Sequence, residues 1–126
     1  MLTIWGISGK GEVMAATIQW RGNWEEAEAE AKEAKRPLLL ELYLEGCPHC
    51  AQLDRETHTD AAVAAAVNAR FIPVRIEGRS RMDVVQKLGV QGAPTTLIFS
   101  PEGKELRRLT GFLAPQEYLR EIQGAG

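Results

Sequence analysis

The sequence predicts one α/β domain with a central β-sheet of mixed direction flanked by helices. Three observations carry that expectation. Strand-like and helix-like segments alternate along the chain. One strand, "LLLELYL" at 38–44, is apolar on both faces except at Glu41, as a strand covered from both sides must be. The chain closes with a short hairpin and an amphipathic helix, which adds antiparallel neighbours to the strand–helix order.

The elements follow in order. "NWEEAEAEAKEAKRP" opens on Asn23 as a cap, has acids in its first turn and bases in its last, and puts Trp24, Ala27, Ala31 and Ala34 on one face, with Pro37 as its stop. After the strand at 38–44, a helix is expected from Pro48 to about Thr57, then a second, capped by Asp60, through the alanine-rich "AAVAAAVNAR". "RFIPVRI" reads as a strand in which Pro73 occupies a position that can spare a donor. "SRMDVVQKLG" has Ser80 and Asp83 in capping-box spacing and Gly89 as its stop. "TTLIFS" is a strand, "PEGK" a turn, "ELRRLT" the second arm of the hairpin, and a last helix begins at Pro115.

Composition narrows the function. A chain of 126 residues, 44% hydrophobic and 25% charged with a formal charge of -2, has enough length for one core. It shows neither the basic stripe of a nucleic-acid binder nor an apolar run near the roughly 18 residues of a membrane span. The expectation is therefore a soluble monomer that binds neither nucleic acid nor membrane. Residues 1–14 read as an N-terminal extension expected to fray, and 15–126 as the domain. The apolar run Leu2 to Ile7 is short and has no basic residues before it, which argues against a signal peptide and for a cytoplasmic protein, or a periplasmic one if a targeting segment has been removed.

Both cysteines lie in "YLEGCPHCAQL", where the buried strand meets the next helix. A zinc site needs about four ligands, and the only histidines are His49, inside the motif, and His58. A structural disulfide closing so short a loop contributes only about 2 kcal/mol. Redox chemistry explains more. Cys47 precedes the first helical turn, whose free N–H groups and dipole favour a thiolate nucleophile. Pro48 fits the first helical position, and His49 brings a ring that can hold a proton or a positive charge near the sulfur. Cys50, one turn on, can resolve the mixed disulfide formed at Cys47.

The motif, with the "GAPT" segment at 92–95 and "TGF" at 110–112, resembles the thioredoxin superfamily over residues 24 to 122, and in particular thioredoxin-like proteins whose redox helix runs into an "ETF-sDpeV" type segment. The resemblance implies a thioredoxin fold and a thiol:disulfide oxidoreductase without a bound organic cofactor. Its partners would be protein disulfides and a thiol donor or acceptor system. It makes Pro94 the counterpart of the family's cis-proline, and Ala93 the residue whose backbone holds a substrate peptide as an added strand, with Pro48 as a further contact. Glu41 resembles the buried acid that exchanges a proton with the resolving cysteine. Two departures stand out: Gly46 occupies the position where thioredoxins carry Trp, and the lysine that often accompanies the buried acid has no clear counterpart. The Pro-His dipeptide is similar to that of oxidising periplasmic DsbA-type proteins, and the direction of electron flow stays open. Two other classes remain: a metal or iron–sulfur cluster shared between chains through Cys47, or a peptide-binding module without turnover.

Overall fold

The computed structural model describes residues 17–125; the expected extension at 1–14 lies outside them. Helix α1 (Trp24–Ala34) is followed by strand β1 (Leu38–Tyr43) and helix α2 (Pro48–Gln52), which runs into a π-helical turn (Leu53–Thr57). Helix α3 (Ala61–Arg70), strand β2 (Ile72–Glu77), a 3-10 turn (Gly78–Arg81) and helix α4 (Met82–Leu88) come next. Strands β3 (Thr95–Phe99) and β4 (Glu105–Thr110) and helix α5 (Pro115–Ala125) complete the domain. The strands lie in the order β2-β1-β3-β4, with β1 parallel to β2 and antiparallel to β3, and β3 antiparallel to β4. The expected mixed sheet with an interior strand at 38–43 is thus present.

Both faces of the sheet are covered, and strand alternation sorts residues between them. Leu38, Leu40 and Leu42 of β1 join Ile72, Val74, Ile76, Leu97 and Phe99 beneath α1 and α4. Trp24 of α1 meets the Phe99 ring edge-on at 5.6 Å. Leu39 and Ile98 face the other way, against Leu53, Val63, Val67, Tyr118 and Ile122 from the π turn, α3 and α5. Glu41 shares the parity of Leu39 and lies on that second face. Pro73 fits its strand because the outer side of β2 there meets only residue 21, whose N–H donates to the Pro73 carbonyl at 2.9 Å.

Several local expectations are corrected. Helix α1 ends at Lys35, not at Pro37: Lys35 adopts the left-handed conformation (φ 57°), and its N–H donates to the carbonyls of the last turn. Ala34 is exposed, so the buried face of α1 is Trp24, Ala27 and Ala31. Ser80 caps nothing; its own N–H donates to the Glu77 carboxylate, and α4 starts after Arg81 without a side-chain cap. The helix after the cysteines does not stay α-helical to Thr57, because the His58 N–H reaches back five residues to the Leu53 carbonyl at 2.9 Å.

The two ends of α1 predict opposite responses. Asn23 accepts the Glu26 N–H at 2.8 Å, so Asn23→Ala should cost about 1 kcal/mol. Lys35→Gly relieves a side chain held at positive φ and should stabilise by several tenths up to about 1 kcal/mol, net of the extra chain entropy of glycine. Urea denaturation of both variants checks the signs.

Candidate active site

The two sulfurs occupy opposite environments within one turn of helix. Cys47 is the N-cap of α2, in extended conformation, and its Sγ accepts the Cys50 N–H at 3.2 Å. That is the interaction expected of a helix start toward an anion. On its other side the Cys47 thiol donates to the Ala93 carbonyl at 3.6 Å. Cys50 is 4% exposed, and burial, with the neighbouring Cys47 sulfur adding to it, pushes its thiol up to about 12. Both cysteines are free thiols.

Gly46 has φ 80°, a conformation in which a side chain as large as Trp would be strained.

The Ala93–Pro94 peptide bond is cis. Pro94 is held from the hairpin side by the Gly111 N–H, which donates to the Pro94 carbonyl at 2.8 Å, and the Thr95 hydroxyl closes the preceding turn onto the Gly92 carbonyl at 2.6 Å. The "GAPT" and "TGF" segments, distant in sequence, are thus one supporting unit beside Cys47. Hollows flank it on both sides. One, of about 420 Å³, lies toward Arg108 and Thr110; the other, of about 300 Å³ and mostly apolar, is lined by Leu44, Met82, Val85 and Val90. Met82 is among the exposed large hydrophobic residues of the chain.

Pro48 occupies the first helical position and, like His49, is exposed. The hydrogen bonds of Cys47 Sγ go to the Cys50 N–H and the Ala93 carbonyl, and the His49 ring is not among them. A direct His49–sulfur hydrogen bond is therefore not made here.

Glu41 is 1% exposed and receives the Thr96 hydroxyl at 2.8 Å. Burial, reinforced by the charge of Asp54, pushes its carboxyl up to about 8 against the opposing pull of the Thr96 hydrogen bond and Arg75. Its charge in turn adds to the elevation at Cys50. The sheet register explains the neighbours: Glu41 lies opposite Arg75 on one side and Thr96 on the other, so three polar side chains cross the sheet in one row.

The sequence reading passed over the residues that surround this acid. The Arg75 guanidinium lies over the Tyr43 ring, 3.7 Å from its centroid, and pairs with Asp54. Asp54 also accepts His58 Nδ1–H at 2.8 Å. Burial alone would raise the Asp54 carboxyl, but the His58 hydrogen bond and the Arg75 charge outweigh it and hold Asp54 below the usual carboxylate range. His58 is 6% exposed and stacks edge-on between Trp20 and Tyr118. A signal existed in the four-residue spacing of Asp54 and His58 on a helical segment, and in Arg75 between the buried Val74 and Ile76. Among the described residues, no three His, Cys, Asp or Glu side chains converge as a metal site would require.

The sequence is similar to part of several thiol:disulfide interchange proteins. The thiol:disulfide interchange protein DsbD of Vibrio vulnificus is 30% identical over 99 residues, which are 74% of this chain and 16% of that protein. DsbD of Campylobacter jejuni is 26% identical over 112 residues, 20% of its length, so the chain spans about a fifth or less of these relatives. The solution structure of a thioredoxin from Thermus thermophilus superposes with a TM-score of 0.78 at 25% identity, covering 86% of each chain. Residues 24–125, from the first turn of α1 to the end of α5, match the thioredoxin-like domain family, and the chain belongs to it.

Proposed function

We propose that this domain exchanges disulfides through Cys47 and Cys50, with Cys47 as nucleophile and Cys50 as resolving thiol. The observation that carries the assignment is the contrast between the two sulfurs: Cys47 caps the helix at the surface, while Cys50 is buried behind it. In the first step the Cys47 thiolate attacks one sulfur of a substrate disulfide, and the other sulfur leaves as a thiolate. In the second, the Cys50 thiol loses its proton and its sulfur attacks Cys47 Sγ. The Cys47–Cys50 bond forms as the mixed disulfide breaks, and the substrate leaves with both sulfurs reduced. Run backwards, the same steps oxidise a substrate dithiol.

A thiol pushed up to about 12 is not a nucleophile at neutral pH without a base. Glu41 is the buried carboxyl whose charge is felt at Cys50, and we assign it to accept that proton. Its folded environment keeps the acid near neutral pH in its titration, where it can both take and return a proton. His49 has a lesser part, through its charge near the helix start when protonated.

The backbone of Ala93, next to Pro94 and 3.6 Å from Cys47 Sγ, supports docking of an extended substrate segment, with Pro48 on the opposite rim. The apolar hollow beside Met82 favours substrates with an apolar side chain near the disulfide. These substrates are protein disulfides. We place the exchange outside the cytoplasm: the cytoplasmic expectation finds no support among the DsbD relatives, and the Pro-His dipeptide resembles that of periplasmic DsbA-type proteins. No helix among the described residues is long and apolar enough to cross a membrane.

Three outcomes test this reading. Cys47→Ser should abolish exchange, whereas Cys50→Ser should accumulate mixed disulfides resolved on a non-reducing gel; equal trapping by both variants would reverse or remove the assigned roles. Osmotic-shock fractionation of cells making the native protein should release it with the periplasmic contents, and recovery only with cytosolic markers would contradict the compartment.

The third outcome concerns Glu41 and stability. Its carboxyl is raised from 4.5 to about 8 in the fold, so between those values the unfolded chain has ionised while the folded one keeps its proton. Stability is therefore lost as pH rises through that window, and the loss is complete above it. Glu41→Gln keeps an acceptor for Thr96 and removes the penalty. The variant should match the wild type near pH 4 and exceed it by on the order of 5 kcal/mol near pH 9 in denaturant titrations.

A further inference from the structure

Glu41 has no exposed surface through which to trade protons with water. A carboxyl that takes a proton from Cys50 in each cycle must pass it on, and the sheet closes every direction but one. On β1 itself its neighbours are leucines. Across the sheet, Thr96 donates to it but holds no second titratable group. From α5 comes the Tyr118 hydroxyl, fully buried, without a hydrogen-bond partner, and held protonated by burial. From β2 comes Arg75, permanently charged and turned to Asp54. From the end of the π turn comes His58. Its Nε2 lies 3.9 Å from Glu41 Oε1, is buried, and is without a hydrogen-bond partner.

The other side of the ring defines its state. Nδ1 is 2.8 Å from Asp54 Oδ1, and the Asp54 carboxylate, ionised beside Arg75, accepts a proton-bearing Nδ1. That places the neutral ring's lone pair on Nε2, aimed at Glu41. Asp54 is 40% exposed and borders, with Thr17, Trp20, Thr59 and Arg75, an open hollow of about 300 Å³. A chain of groups thus leads from the acid behind Cys50, through one ring, to water.

We propose that His58 is a proton-relay residue that connects Glu41 to solvent through Asp54. The proposal rests on the exchange reading above and adds the route by which its proton leaves. The protonated Glu41 gives its proton to His58 Nε2 as the two close to hydrogen-bond distance, which leaves a carboxylate and an imidazolium held by Asp54. The carboxylate takes the proton of Cys50 as the sulfur attacks Cys47 Sγ. The imidazolium loses its Nδ1 proton, past Asp54, to water in the hollow. When the Cys47–Cys50 disulfide is reduced again the relay runs backwards: Cys50 takes its proton from Glu41, Glu41 takes the Nε2 proton, and Nδ1 takes one from solvent past Asp54, which returns the starting tautomer. Each resolving step moves one proton from Cys50 to solvent, and no electrons leave the sulfurs. His58 acts through Glu41 and never touches the reacting sulfur.

Stopped-flow reaction with the aromatic disulfide 5,5′-dithiobis(2-nitrobenzoate) separates the steps. Attack by Cys47 releases the first coloured thiolate in a concentration-dependent phase, and attack by Cys50 releases the second in a concentration-independent one. His58→Asn keeps an N–H for Asp54 but has no atom to carry a proton. It should leave the first phase unchanged and slow the second about 10-fold at about pH 6 to 7, with the difference vanishing above about pH 9, where hydroxide replaces the relay. His58→Gln should behave alike. A second phase slowed equally at all pH values means a packing role, and an unchanged one means no role; either overturns the relay. A wild type lacking the second phase would instead count against the exchange reading.

The wild-type protein supplies a measurement that needs no folded His58 variant. The ¹⁵N resonance of His58 Nε2 should move as Glu41 titrates, around pH 8, and that step should be missing in Glu41→Gln. An Nε2 resonance insensitive to pH across that range, or identical in the Glu41→Gln protein, disconnects the two groups and overturns the proposal.

Discussion

A strand covered on both faces has no side to spare for a charge, yet β1 carries one at its centre. Leu38, Leu40 and Leu42 fill one face of the core, and Leu39 fills the other. Glu41, with the parity of Leu39, can only enter the second face, and an ionised carboxylate there would cost several kcal/mol unless paired. The fold answers with a proton rather than a salt bridge. Thr96 supplies one hydrogen bond from the adjacent strand, and the positive charge of Arg75 is committed to Asp54.

The same strand determines where chemistry occurs. Its C-terminal end delivers the chain to Gly46, whose positive φ turns it into the start of α2. Cys47 therefore meets water and free backbone N–H groups, while Cys50, one turn later, faces inward toward the second core. Two identical side chains, three residues apart, differ in environment because one caps the start of a helix and the other is buried by it. The loop carrying Ala93 and Pro94 meets Cys47 because β3 lies beside β1, and Gly111 secures it from the next strand.

A mixed cluster of charged and polar groups lies beside Glu41. Asp54 and His58 come from the segment after the cysteines, Arg75 from β2, and their contacts bring charge and a titratable ring to the sheet face that holds Glu41. The π turn contributes directly: with a hydrogen bond that skips five residues, it brings His58 inward while Thr57 donates to the Leu113 carbonyl at 2.6 Å, tying the segment to the start of α5.

Much of this was legible from residue order alone. Asn23 and Asp60 as caps, Gly89 as a stop, Pro115 as a helix start and the doubly apolar β1 each act within a few residues of themselves, so local stereochemistry is enough to read them. The Cys-Pro-His-Cys motif and its position at a strand-to-helix junction were equally local. Lys35 was not legible, since a left-handed lysine competes with a nearby proline that looks the better stop. Ser80 does not cap α4 because it lies inside the preceding 3-10 turn, which Glu77, at the end of β2, caps by accepting the Ser80 N–H. The partners of Glu41 lay furthest out of reach. Arg75, Thr96, Tyr118 and the Asp54–His58 pair come from four separate elements. Which of them meet depends on strand order, register and a single π turn, none of which any short stretch of sequence encodes by itself. Residue pattern determined that an acid would be buried in the strand before the cysteine pair; only the packing of distant elements onto one sheet face decided which groups surround it.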